Sequence, residues 1–152
     1  MKAIFSITLL ITVVLISSWT TSKSKLPNVS TWAIFIGKKE ILASWNKNEM
    51  GDTVTIEKSK LSLTDELLAQ RFLCGYSGRG GTTTLTIKNS NNEQLAEVKN
   101  SDNKMMYSAS LPIWKIMNSK VKTNDVLSVY LSIKMESEET EYPVLLGNLK
   151  LK

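Results

Sequence analysis

Residues 127–135 alternate without a break. Leu127, Val129, Leu131, Ile133 and Met135 fall on one side of an extended chain, and Ser128, Tyr130, Ser132 and Lys134 on the other. A period of two matches the pleat of a strand and no helix, so this stretch must lie on a sheet with one face buried. A sheet needs partners, and the rest of the chain supplies the same pattern in shorter pieces. Residues 32–36 (WAIFI) form a continuous apolar run that suits a strand buried on both faces. A polar turn at 37–40 leads back into 41–45 (ILASW), which makes a hairpin. Residues 53–57 (TVTIE) alternate with Val54 and Ile56 inward, and 82–88 (TTTLTIK) read as a plain strand.

Further strands are expected at 94–98 and at 105–111, where Met105, Tyr107, Ala109 and Leu111 share a face. The last is at 144–151, with Gly147 at a bulge, Leu149 and Leu151 inward and Lys150 and Lys152 outward. Residues 67–74 are ambiguous. Thr64, Asp65 and Glu66 before them and Gly75 after them would cap a short helix. The glycine-rich 75–81 (GYSGRGG) followed by a clear strand instead suggests a long hairpin, which is the preferred reading. Ser110 ahead of Pro112 starts one short helix near 111–118, with Ile113, Ile116 and Met117 on one side. About nine short strands with regular turn signals indicate an all-β fold, an antiparallel β-sandwich with immunoglobulin-like topology as the commonest instance. A small closed β-barrel is the alternative.

The first residues have a different logic. Met1 and Lys2 precede an apolar run at 3–16 (AIFSITLLITVVLI), and small polar residues follow at 17–22. Charged start, apolar middle and small-residue exit are the layout of a secretory signal. As a helix the run would reach about 21 Å, short of the ~30 Å hydrocarbon core of a membrane. Residues 1–22 are therefore expected to be a signal peptide cut somewhere in 17–22, and 23–152 a single β-sandwich domain. The destination is periplasmic or extracellular, with membrane attachment only through the signal if it stays uncut.

Composition removes several chemistries. The chain has no histidine, which excludes Ser-His-Asp and Cys-His catalysis and the common zinc sites. Cys74 is the only cysteine, so no internal disulfide forms; its expected place is as a small buried hydrophobe. The formal charge is +5, yet all the basic residues except Arg71 and Arg79 are lysines. Arginine is the residue suited to bidentate phosphate and base recognition, so the excess does not indicate nucleic acid. The lysine pairs 58/60, 120/122 and 150/152 are spaced for one side of a strand and read as solvated, edge-protecting positions.

Several motifs fail on inspection. Gly75-Tyr76-Ser77-Gly78 starts like a nucleophile elbow, but Arg79 stands where the second glycine belongs. The same stretch lacks the lysine of a phosphate loop. Ser101-Asp102-Asn103-Lys104 overlaps two catalytic spellings in one turn, where they cannot converge on one substrate. Glu136, Glu138, Glu139 and Glu141 read as a solvated acidic loop rather than a cation site. Asn28-Val29-Ser30 is a glycosylation spelling. Trp32, Trp45 and Trp114 lie among apolar neighbours and are expected in the core.

Three residues stand out as contact candidates. Tyr130 is an aromatic side chain on the polar face of the best strand, and Tyr76 and Arg79 sit on the glycine-rich tip. The expectation is a non-catalytic exported binding or accessory domain of an envelope or secreted assembly, holding a protein or carbohydrate at a surface patch. No catalytic residue, metal or cofactor is assigned, and no nucleic acid. The alternatives are a small-ligand carrier, or a hydrolase of carbohydrate or peptide using carboxylates such as Asp52, Asp65 and Glu66.

Overall fold

The computed structural model describes residues 30–73, 80–101, 106–117, 121–136 and 142–152. The proposed signal at 1–22, Asn28, Cys74, Tyr76, Arg79, Asp102–Lys104 and Glu138, Glu139 and Glu141 lie outside the described residues. The described residues contain nine strands: β1 (Ser30–Ile36), β2 (Lys39–Ala43), β3 (Thr53–Ile56), β4 (Glu66–Leu73), β5 (Gly81–Lys88), β6 (Gln94–Asn100), β7 (Tyr107–Pro112), β8 (Val126–Met135) and β9 (Tyr142–Leu151). One short helix, α1 (Ile113–Met117), follows β7.

The strands build two packed sheets, one in the order β2-β1-β4-β7 and the other β3-β9-β8-β5-β6. Every pair is antiparallel except β3 and β9, which run parallel. The fold is an all-β sandwich, and the closed barrel does not form. In the second sheet β8 is central, with β9 on one side and β5 on the other. The first sheet has the β1/β2 hairpin at one edge and β7 at the other.

The core is the sum of the inward faces. Leu127, Val129, Leu131, Ile133 and Met135 are all buried, as the alternation requires. Leu127, Val129 and Leu131 share one cluster with Trp32, Ile34 and Ile36 of β1, Leu67 and Ala69 of β4, and Ala109 and Leu111 of β7 from the opposite sheet. Ile113 and Ile116 of α1 cover one end of this cluster. Tyr107, Leu73, Ile133 and Met135 form a separate cluster, where the Tyr107 hydroxyl donates to Met135 Sδ at 3.3 Å. Leu146, Leu149 and Leu151 are buried while Lys150 and Lys152 stay in solvent.

Two glycines are required by close approach. A Cβ on Gly147 would lie 2.6 Å from Leu42 Cδ1, where β9 comes beneath β2, and the adjacent Leu146 is the extra residue of a bulge against β8. A Cβ on Gly81 would meet the Lys134 carbonyl at 2.9 Å.

Four expectations need correction. Residues 66–73 are a strand, but β4 and β5 do not form a hairpin. β4 is hydrogen-bonded on both sides, to β1 and β7, and β5 likewise to β6 and β8, so the two strands belong to different sheets. Trp45 is 55% exposed rather than core, because the chain leaves β2 in a 3-10 turn (Ser44–Asn46) that turns the indole outward. Trp114 is 45% exposed, since the three-residue spacing of Ile113 and Ile116 fixes the buried side of α1 and leaves position 114 off it. Lys58 and Lys60 sit in a 3-10 turn, not on a strand, and Lys60 pairs with Glu57 at 2.9 Å.

A charge also lies inside. Arg71 is only 5% exposed and occupies an inward position of β4, in register with Trp32 on one side and Tyr107 on the other. Desolvation by burial holds its guanidinium below the usual arginine pKa. No helix among the described residues is long and apolar enough to cross a membrane.

Candidate functional site

A sandwich has two open sides, and on one of them the edge strands β2 and β3 face each other across a groove. The groove encloses about 700 Å³ and is lined from both sheets. Its floor is aliphatic: Ile36, Ile41, Val54, Ile56 and Leu61. All but Ile36 are only partly buried, so the core surfaces along this strip. The volume falls within the ~300–1,000 Å³ typical of ligand sites.

Local sequence explains why the groove stays open. Ile41 is an extra residue in β2: Ile34 pairs with Leu42 and Phe35 with Glu40, leaving Ile41 unmatched. Such a bulge bends the strand and increases its twist. Gly37, at φ +57°, turns the chain between β1 and β2 and places Lys38 and Lys39 at the groove mouth. β3 is four residues long and is attached only to β9 among the described strands. Asn148 secures it: its Nδ2 donates to the Gly51 carbonyl at 2.7 Å, and its Oδ1 accepts from Ser128 Oγ at 2.8 Å.

The rim carries both signs of charge, but they are not equally available. Glu57 is paired with Lys60. Glu40 accepts from Trp45 Nε1 at 2.9 Å and from Asn46 Nδ2. Asp65 accepts from the Ser62 amide at 3.2 Å. Lys38 and Lys39 are exposed and make no ion pair among the described residues. The lining thus balances Lys38, Lys39 and Lys60 against Glu40, Glu57 and Asp65, with Lys38 and Lys39 together at the hairpin tip.

Of the three contact candidates Tyr76, Arg79 and Tyr130, only Tyr130 is among the described residues. It lies on the outward face of β8, opposite Thr86 and Leu145, and Lys88 Nζ sits 5.2 Å from its ring centroid. The ring face thus already holds a cation. Tyr130 does not line the groove. The acids considered for hydrolysis are also placed. Asp52 Oδ2 accepts from the Glu49 amide at 2.8 Å and Asp65 Oδ2 from Ser62, each closing the turn before a strand, and Glu66 is exposed at the start of β4.

Sequence reasoning put Val54 and Ile56 inward but missed the groove. The signal was present in the shortness of the 53–57 run and in its threonines. What was missing was knowledge that β3 would be an edge, which depends on a pairing with the far end of the chain. Compared with known proteins, the sequence matches no family model and no curated relative.

Proposed function

We propose that this chain is an exported, non-catalytic β-sandwich that binds another macromolecule through the groove between β2 and β3, as a secreted or periplasmic accessory domain. The observation that carries the reading is the aliphatic strip surfacing between two strand edges, beside Lys38 and Lys39, which make no ion pair among the described residues. An apolar floor with a charged rim is the anatomy of an interaction site. The export half of the reading rests on the charged, apolar and small-residue order of residues 1–22.

Two other readings draw less support. A carrier would enclose its ligand, whereas a void between the sheets among the described residues, lined by Ile36, Ile116, Leu127 and Leu149, is about 10 Å³, too small for more than one water. A carboxylate hydrolase would need two acids held across a cleft, and Asp52 and Asp65 are engaged in separate turns.

Photo-crosslinking in the producing cell tests the proposal. A photoreactive residue replaces Thr55 at the groove or, as a control, Thr86 on the outward face of the second sheet. A discrete adduct from position 55 and not from position 86 is expected. The intact mass of the same protein is expected to lack the apolar run 3–16. Equal adducts from both positions, or none, would refute the binding site, and retention of 3–16 would refute the cleaved signal.

A further inference from the structure

Resting on the groove as the binding site, we infer that its occupant is an extended, acidic segment of a protein partner, added as a strand to the free edge of β3. The first argument is the direction of the β3 backbone. The Asp52 carbonyl accepts from the Asn148 amide at 2.7 Å, the Ile56 carbonyl from the Lys152 amide at 2.9 Å, and the Lys58 amide donates to the Lys152 carbonyl at 2.9 Å. Even-numbered residues thus direct their N–H and C=O groups to β9. In a parallel ladder the residues between them point the other way. Thr53 and Thr55, both exposed, therefore present their backbone donors and acceptors to the open side.

The second argument is a contrast between the two edges. β2 has what blunts an edge against pairing: a bulge at Ile41 and a lysine at position 39. β3 has no bulge, no proline and no lysine. A strand placed about 4.8 Å beyond β3 would lie along the groove mouth. Its alternate side chains would enter between the sheets, onto Ile36, Ile41, Val54, Ile56 and Leu61. Backbone pairing with side-chain pockets at every second residue is how sheets capture peptides.

The third argument fixes the charge. The rim acids Glu40, Glu57 and Asp65 each already have a partner, whereas Lys38 and Lys39 have none among the described residues. An acidic segment meets the adjacent Lys38 and Lys39 at the hairpin tip, which make no ion pair among the described residues.

The probe is a fluorescent, N-acetylated heptapeptide alternating valine with glutamate, titrated against the full chain as purified from its producing cell. Saturable binding is expected. It should weaken at least tenfold when alternate peptide nitrogens are methylated, which blocks pairing without altering the protein. Replacing glutamate by lysine in the peptide, or the double change Lys38→Glu and Lys39→Glu in the protein, should weaken it to a similar degree. Amide exchange at Thr53 and Thr55 should slow at least tenfold on binding, with Thr86 unchanged.

Equal binding of the methylated peptide would overturn strand addition. So would protection of Thr53 and Thr55 without peptide in a dimer seen by sedimentation, which would make a second copy the occupant. Saturable binding of dodecyl phosphate with no binding of the peptide would overturn the protein partner. If the peptide fails while position 55 still gives its crosslinked adduct, this inference falls and the groove reading stands; if both fail, both fall.

Discussion

Thr84 lies on the outward side of β5, opposite Ser132 and Lys99, yet it is 4% exposed, and its Oγ1 is buried with no hydrogen-bond partner. A hydroxyl removed from water without a partner costs about 1–3 kcal/mol, while its methyl counterpart costs nothing comparable. Thr84→Val keeps the shape and the β-branched stiffness of the site. It should raise stability by about 1 kcal/mol in urea unfolding. A loss of stability would mean that the hydroxyl is satisfied in solution. Arg71 is the opposite case, a guanidinium on an inward position. Nothing in the alternation of β4 predicted it: Leu67, Ala69 and Leu73 mark the buried side, and the arginine shares it. Period-two reading assigns faces by hydrophobicity, so a charge on the inner face looks like a break in the pattern.

At the level of elements, one device recurs three times. Asp52, Asp65 and Asp125 each directly precede a strand, and each carboxylate accepts from the amide three residues back, in Glu49, Ser62 and Lys122. The aspartate amide donates to the carbonyl of that same residue in every case. These reciprocal bonds close the turns that launch β3, β4 and β8. Asp125→Ala should cost about 0.5–1.5 kcal/mol in urea unfolding. Asp125→Asn, which keeps an acceptor, should cost less, and equal losses for the two would argue against the bond. The aspartates are visible in the sequence, but their turn-closing role is not. Strand existence was legible because alternation is local. The placement of strands was not. That β4 and β5 part into different sheets, and that β3 becomes an edge, follows from pairings with residues distant in sequence. The groove was lost for the same reason, whereas Tyr130 was found on the correct face but with its ring already against Lys88.

For the molecule as a whole, β9 serves both the common core and the edge strand β3. Leu149 and Leu151 are buried in the common core, and Leu149 and Leu151 are also the register partners of Val54 and Ile56. Each core leucine contributes about 2–5 kcal/mol, against a total stability of about 5–15 kcal/mol for a typical domain. Deleting residues 149–152 should therefore abolish cooperative unfolding, read as loss of a sigmoidal urea transition in near-ultraviolet circular dichroism. A truncated chain that still melts sharply would show that β3 is held by other means.

The bond between Asn148 and Gly51 joins residues 97 positions apart, and that distance sets an order of events during biosynthesis. Polypeptides emerge amino end first at about 5–20 residues per second, so β3 waits roughly 5–20 s before β9 exists to receive it. Until then β3 has no partner strand, so the second sheet is completed last, after every other described strand has left the ribosome.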